Sequence, residues 1–273
     1  MTDAAELPPV LALFAEEFRL ARLNAGLTQG QLAEKTHYTR GHISMVEAGQ
    51  RTGSRRFVEG VEEVLGSDGR LGRLWALASR ETQPGWAVEM LDAEQRASSI
   101  RSFQPHLIGG LFQTERYARG VFGARRFLGA SDDDVQERVA RRLARQVTLT
   151  GPMLRRYWLI LDQAVLHRII DSADVMREQL RHLLTVIREH GHVNVQVLPW
   201  SAGAYPAVAG PMTILEIPDA DPVVHLEDPL SGTTTSRPET VQECVDRFDV
   251  LRSQALSLSE SEEMIEARVK ELS

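Results

Sequence analysis

Cysteine occurs once in 273 residues, as Cys244, so no disulfide can form within the chain, and the sequence reads as suited to a reducing cytoplasm. Long hydrophobic runs are missing too. The longest apolar stretch, around Trp158 to Leu166, is broken by Asp162 and Gln163 and falls short of the roughly 20 residues a helical membrane span needs. The first residues lack a basic segment followed by an apolar core, so the N-terminus does not read as a secretory signal. No cysteine accompanies His182, His190 and His192, and no His-Glu-x-x-His spacing occurs, so these histidines read as surface residues near a helix end. No metal or other cofactor is expected. Ser201 and Ser231 lack the Gly-x-Ser-x-Gly elbow, and neither a phosphate loop nor a dinucleotide fingerprint is present. Asp162, Glu216, Glu227 and Asp228 stand at or beside expected strand ends, where scattered acids are usually turn residues. No catalytic residue is assigned, and the chain does not read as an enzyme.

What is present is an uneven charge. The whole chain carries −7, yet residues 19–56 hold seven basic residues (Arg19, Arg22, Lys35, Arg40, Arg51, Arg55, Arg56) against Glu34 and Glu47. That segment is +5, leaving −12 on the remainder. Phosphate contacts are local and screened over about 8 Å at physiological salt, so a basic patch on an acidic body suffices for DNA.

The patch lies on a helical pattern. Thr28 followed by Gln31 is a capping box that starts a helix with Leu32 and Ala33 inward. A turn falls near Thr36-His37-Tyr38, Thr39 caps a second helix with Ile43 and Val46 inward, and Gly49 stops it. Two short helices joined in this way form a helix-turn-helix, whose second helix enters a major groove. A preceding helix is expected from about Leu11 to Ala25, with Phe14, Phe18, Ala21 and Ala25 as its stripe. Pro8-Pro9 should bar an earlier start. Two further helices, 55–65 and 70–80, close a five-helix unit.

Gly26-Leu27-Thr28-Gln29, Gln31-Leu32-Ala33, Ile43-Ser44 and Glu47-x-Gly49 together resemble the lambda-repressor/Cro-like, xenobiotic-response-element (Xre) type helix-turn-helix family. His37 stands where that family usually has Gly, and His is among the residues enriched at positive φ. The resemblance implies that Arg22 pairs with Glu47, partly exposed and contributing about 1 kcal/mol or less. It also implies that Gln29 binds a phosphate, helped by the free N–H groups of its helix N-terminus. The outward residues at the start of the second helix, Thr39, Arg40, Gly41, His42, Ser44 and Met45, are the candidate DNA readers. Arg40 can fork onto guanine, a pairing worth about 1–3 kcal/mol of discrimination. Met45 can meet a thymine methyl, and Gly41 lets the backbone come close. Arg51, Arg55 and Arg56 should grip the phosphate backbone.

Beyond a linker and connecting helix at 81–96, centred on Pro84-Gly85, the pattern turns to mixed helix and strand. Strands are expected near 97–103, 156–161, 193–198, 212–217 and 223–226, and helices at 131–149, 174–190, 238–255 and 259–272. The fold class is therefore a mainly α five-helix domain over 10–80 plus a mixed α/β or α+β domain over 97–273. Gly109-Gly110-Leu111-Phe112-Gln113-Thr114 with Tyr117-Ala118-Arg119, Met176 to Leu180, Val197-Leu198-Pro199 with Gly203, and Gly210-Pro211-Met212 resemble an uncharacterised domain family found behind this type of helix-turn-helix in many actinobacterial regulators. The resemblance implies a module that senses a small molecule or binds a small protein partner. Leu111 and Phe112 on one loop, with Trp200 and Tyr205 on another, are the candidate ligand pocket.

The sequence thus predicts a cytoplasmic, dimeric DNA-binding transcription regulator with double-stranded DNA as its partner and no membrane attachment. One helix-turn-helix reads one half-site, so a homodimer on an inverted repeat is expected. Two rivals remain: an antitoxin-like protein-interaction adaptor that no longer binds DNA, and an enzyme with a DNA-binding tether.

Overall fold

The computed structural model describes residues 7–81, 85–207, 210–228 and 231–273. The expected break at Pro84 lies outside the described residues. The chain divides into two compact units, residues 1–85 with 131–137, and residues 86–130 with 138–273.

The first unit is helical: α1 (Pro9–Asn24), α2 (Gln29–Thr36), α3 (Arg40–Glu47), α4 (Arg55–Leu65) and α5 (Arg70–Glu81). Pro9 opens α1 rather than delaying it, because a first-turn proline sacrifices no intrahelical bond. The Thr28 hydroxyl accepts from the Gln31 N–H, and the Gln31 side chain accepts from the Thr28 N–H, so both halves of the capping box form. His37 ends α2 in the left-handed region at φ 59°, and Thr39 caps α3 by accepting from the His42 N–H. Phe14, Phe18, Leu32, Ile43, Val46, Phe57 and Val61 are wholly buried and form the core. Phe18 stacks on Phe57 at 5.7 Å. Gly53, at φ +73°, turns the chain into α4 and leaves room for that ring: a Cβ there would stand 2.5 Å from Phe57 Cδ1. Trp75 Nε1 donates to the Gly53 carbonyl at 2.9 Å and fixes the turn.

The second unit is built on six strands. In chain order it runs α6 (Gly85–Arg96), β1 (Ser99–Gln104), α7 (Glu115–Gly123), α8 (Asp132–Ala144), α9 (Val147–Thr150), β2 (Arg156–Asp162), α10 (Gln163–His167), α11 (Ala173–Glu189), β3 (Val193–Leu198), β4 (Met212–Glu216), β5 (Val223–Glu227), β6 (Gly232–Thr235), α12 (Pro238–Gln254) and α13 (Leu258–Glu271). The opening turn of α8, through Glu137, groups with the first unit. The sheet order is β3-β2-β1-β4-β5-β6, with β1, β2 and β3 parallel and the other pairings antiparallel.

Alternation along the strands sorts side chains onto two faces. Tyr157, Leu159 and Leu161 of β2, with Val193, Val195 and Val197 of β3, meet Leu180 and Leu183 of α11 and Ile265 of α13. Ile160, Phe103 and Ile214 point the other way, against Cys244, Phe248 and Leu251 of α12. The fold class is the expected one, but the sheet has a sixth strand. The helix expected over 131–149 is interrupted at Arg145-Gln146, where both side chains are drawn away, Arg145 to Glu94 and Gln146 to the Gln113 carbonyl.

Candidate nucleic-acid interface

Helix α3 is positioned from both ends. At its N-terminus the Thr39 hydroxyl fixes the first turn. At its C-terminus Glu47 receives Arg22 Nε at 2.5 Å and Nη2 at 3.0 Å, while Arg22 Nη1 donates to the Leu27 carbonyl at 2.7 Å. Gln29 Nε2 donates to the same carboxylate at 2.8 Å. The Arg22 and Glu47 side chains are only 9% and 6% exposed, so the pair is buried rather than a partly exposed surface bridge. Its cost of desolvation is offset by this full set of hydrogen bonds, which ties α1, α2 and α3 into one frame. One N–H of the Gln29 amide is thus given to Glu47, and the amide carries a second donor. The Gln29 backbone N–H, at the first position of α2, keeps no intrahelical acceptor.

With Ile43 and Val46 fully buried, Thr39, Arg40, Gly41, Ser44 and Met45 are all exposed and share the outer side of α3. His42 does not belong with them. Its ring lies 4.5 Å from Phe57 and 5.1 Å from Tyr38, and its side chain is 6% exposed. The aromatic neighbours supplied by the preceding turn and by α4 draw it inward, which the local periodicity did not reveal. Burial first, and the Arg51 charge second, hold the His42 imidazole below its ordinary 6.5; Asp133 and Asp134 act in the opposite sense.

The arginines after α3 also differ among themselves. Arg55 and Arg56 are exposed, Arg55 with a solvent-facing partner in Glu59 at 2.8 Å. Arg51 is instead held by Asp134 at 2.6 Å, with Ser131 Oγ at 3.5 Å. Asp133 approaches His42 Nδ1 at 3.7 Å. The acidic turn Ser131 to Asp134 thus stands against two residues that the sequence assigns to DNA.

The residues expected to form a ligand pocket do not come together. Phe112 is fully buried in the core, with its ring 5.0 Å from Tyr157. Tyr205 packs edge-on to Phe103 at 5.5 Å and donates to Asp162 at 2.7 Å, on the α12 face of the sheet. Trp200 is 59% exposed beside His167. Of the four, Leu111 lines a polar cavity of about 120 Å³. That cavity lies on the opposite sheet face from Tyr205, because consecutive strand positions alternate faces. Its other walls, Glu94, Tyr157, Arg142 and Arg145, come from segments far apart in sequence, and no local signal marked them. Among the described residues, no group of three or more His, Cys, Asp or Glu side chains could hold a metal ion.

Comparison with known families matches two stretches of the chain. Residues 13–75 match a helix-turn-helix domain, and residues 88–267 match a domain of unknown function (DUF5753). The chain belongs to the DUF5753 family. Its N-terminal match makes this member a DNA-binding regulator at that general level, and α2 and α3 are the two helices of the motif. No curated protein and no solved structure matches the chain. Among its described residues, no helix is long and apolar enough to cross a membrane.

Proposed function

We propose that this DUF5753 member is a sequence-specific transcription regulator of the Xre type. It binds an inverted-repeat operator as a homodimer, inside the cytoplasm, with α3 in the major groove. Its second domain serves as the sensing or partner-binding module rather than as an enzyme. The observation that carries the reading is the outer side of α3: a first turn presenting Thr39, Arg40, Gly41 and Ser44 to solvent, held rigidly from below by Ile43, Val46 and the Arg22–Glu47 pair. A preformed, cationic, small-residue helix start lets side chains reach base edges while the helix N-terminus meets phosphate. The excess of +5 over residues 19–56 supplies the sequence-independent attraction. An adaptor that had lost DNA binding would have no use for Arg40, Arg55 and Arg56 on the exposed surface.

The test is fluorescence anisotropy of the full chain on duplex fragments from its own promoter region, with an equal-length scrambled duplex as reference. The expected result is binding to the promoter fragment at least about 1,000-fold tighter than to the scrambled one at physiological salt. Equal binding to both, or none even at low salt, would contradict it. Sedimentation of the complex gives the number of chains per duplex, with two expected.

A further inference from the structure

The second unit contains a polar cavity of about 120 Å³ in which one arginine has, among the described residues, no carboxylate at ion-pairing distance. Its floor is Ser102 of β1, Tyr157 of β2 and Thr213 of β4; its walls come from α6, α8, the loop 107–113 and Glu227 at the end of β5. Most of the polar groups here satisfy one another. Ser102 Oγ and Thr213 Oγ1 share a hydrogen bond at 3.1 Å, and Gln104 donates to Ser102 at 3.1 Å. Arg145 forks onto Glu94, Nε to Oε1 at 3.1 Å and Nη2 to Oε2 at 2.8 Å. Glu227 stands 3.6 Å from His225 Nε2, and that contact first, with the charges of Arg142 and Arg145 after it, holds its carboxyl below the usual range against the effect of burial.

Arg142 is different. Its Nη1 donates to Gln113 Oε1 at 3.0 Å and its guanidinium lies 4.9 Å from the Phe122 ring centroid, yet among the described residues no carboxylate is within ion-pairing distance. Burial, and then the neighbouring Arg145 charge, bring its pKa down to about 10, against the opposing pull of Glu227 and Glu94. A half-buried guanidinium whose direct partners are a neutral amide and a ring face is only partly compensated, by carboxylates beyond ion-pairing distance. The loop is shaped to receive it. A Cβ on Gly110 would stand 2.7 Å from Arg142 Nη1 and 2.9 Å from Cδ, so glycine at 110 leaves the space that the guanidinium occupies.

We infer that this cavity binds a small organic acid whose carboxylate pairs with Arg142. The volume corresponds to the liquid share of about four water molecules, which limits the ligand to a few carbons. The charge balance disfavours a dianion. Arg145 is matched by Glu94, and Glu227 faces the same space as Arg142, so the four charges of the lining sum to zero and a doubly charged phosphate ester would leave two negative charges unmatched. The Tyr157 phenol, pushed above its ordinary range by burial, keeps its proton. With Ser102 and Thr213 it offers hydroxyls to a hydroxy or amino substituent. This inference deepens the sensing role proposed for the second domain, and its test uses no DNA, so it stands or fails apart from operator binding.

The test is a thermal melt of the full chain with acetate, glycolate, lactate and glycine at millimolar concentrations, with inorganic phosphate as the contrasting probe. At least one of the carboxylates is expected to raise Tm by about 3 °C or more at saturation, with a smaller effect of phosphate. Arg142→Met and Gly110→Ala should each abolish the shift, while Arg101→Met, on β1 beside Glu216, should keep it. Amide resonances of Gly109 to Gln113 in the unsubstituted protein should move on titration with the stabilising acid, a readout that does not depend on any variant folding. No Tm rise from any of the carboxylates would overturn the inference. So would a shift retained in Arg142→Met, a phosphate effect equal to that of the acid, or resonance changes confined to other regions.

Discussion

Asp134 accepts a hydrogen bond from the Arg51 guanidinium at 2.6 Å across a sequence separation of 83 residues. The contact occupies a cation that follows α3, and both residues lie in the first compact unit. Arg51 is therefore expected to be a phosphate ligand whose use requires displacing a carboxylate. Asp134→Asn keeps an acceptor for the Ser131 N–H and hydroxyl but removes the charge. It should strengthen duplex binding and steepen the dependence of log K on log salt by about 0.9, one more phosphate neutralised. Anisotropy titrations at several salt concentrations measure both quantities. An unchanged slope would mean that Arg51 does not reach DNA.

Because Glu47 collects Arg22 and Gln29 with almost no exposure, truncating it leaves a buried guanidinium with only the Leu27 carbonyl. Glu47→Ala is expected to cost about 3–5 kcal/mol of stability, against less for the double variant Arg22→Met/Glu47→Leu, which removes both charges. Urea unfolding at constant slope measures the difference. A loss below about 1 kcal/mol would mark the pair as an ordinary surface bridge.

His42 predicts a pH dependence of definite sign. Its pKa in the folded chain is below the ordinary 6.5, through burial and then Arg51, with Asp133 and Asp134 opposing. The unfolded chain therefore takes up the proton first as pH falls through 6.5, and stability declines from there until the folded value is passed. Above 6.5 this contribution is fully present. Thermal melts across that range should show Tm falling on acidification, with a shallower fall in His42→Gln. A flat or rising Tm in the unsubstituted protein would contradict the assignment.

Much of this molecule is legible locally. The Thr28–Gln31 capping box, the Thr39 cap and the left-handed His37 are decided by residues within four positions of each other. The alternation in Val193 to Leu198 likewise marks β3 to the residue. What escaped depends on distant partners. β6, Gly-Thr-Thr-Thr at the edge of the sheet, has no apolar alternation and is ordered by pairing with β5. His42 reads as outward until Phe57 is folded against it. Trp200 and Tyr205 resemble a pocket loop, yet Tyr205 is drawn to Phe103 and Asp162, and the cavity opens around Arg142 instead. Strand order is a matter of crossover connections, which composition and periodicity do not encode.

The central claim is that the exposed start of α3 reads base pairs, and selection of bound duplexes from a random library, run in parallel with the full chain and its Arg40→Ala variant, tests it most directly. The account predicts an enriched inverted repeat with half-site centres one helical turn apart, about 34 Å. It also predicts that Arg40→Ala loses preference at one base pair per half-site, at a cost of about 1–3 kcal/mol there, while the other positions persist. No enriched sequence, or the same sequence with the same preferences from both proteins, would contradict it.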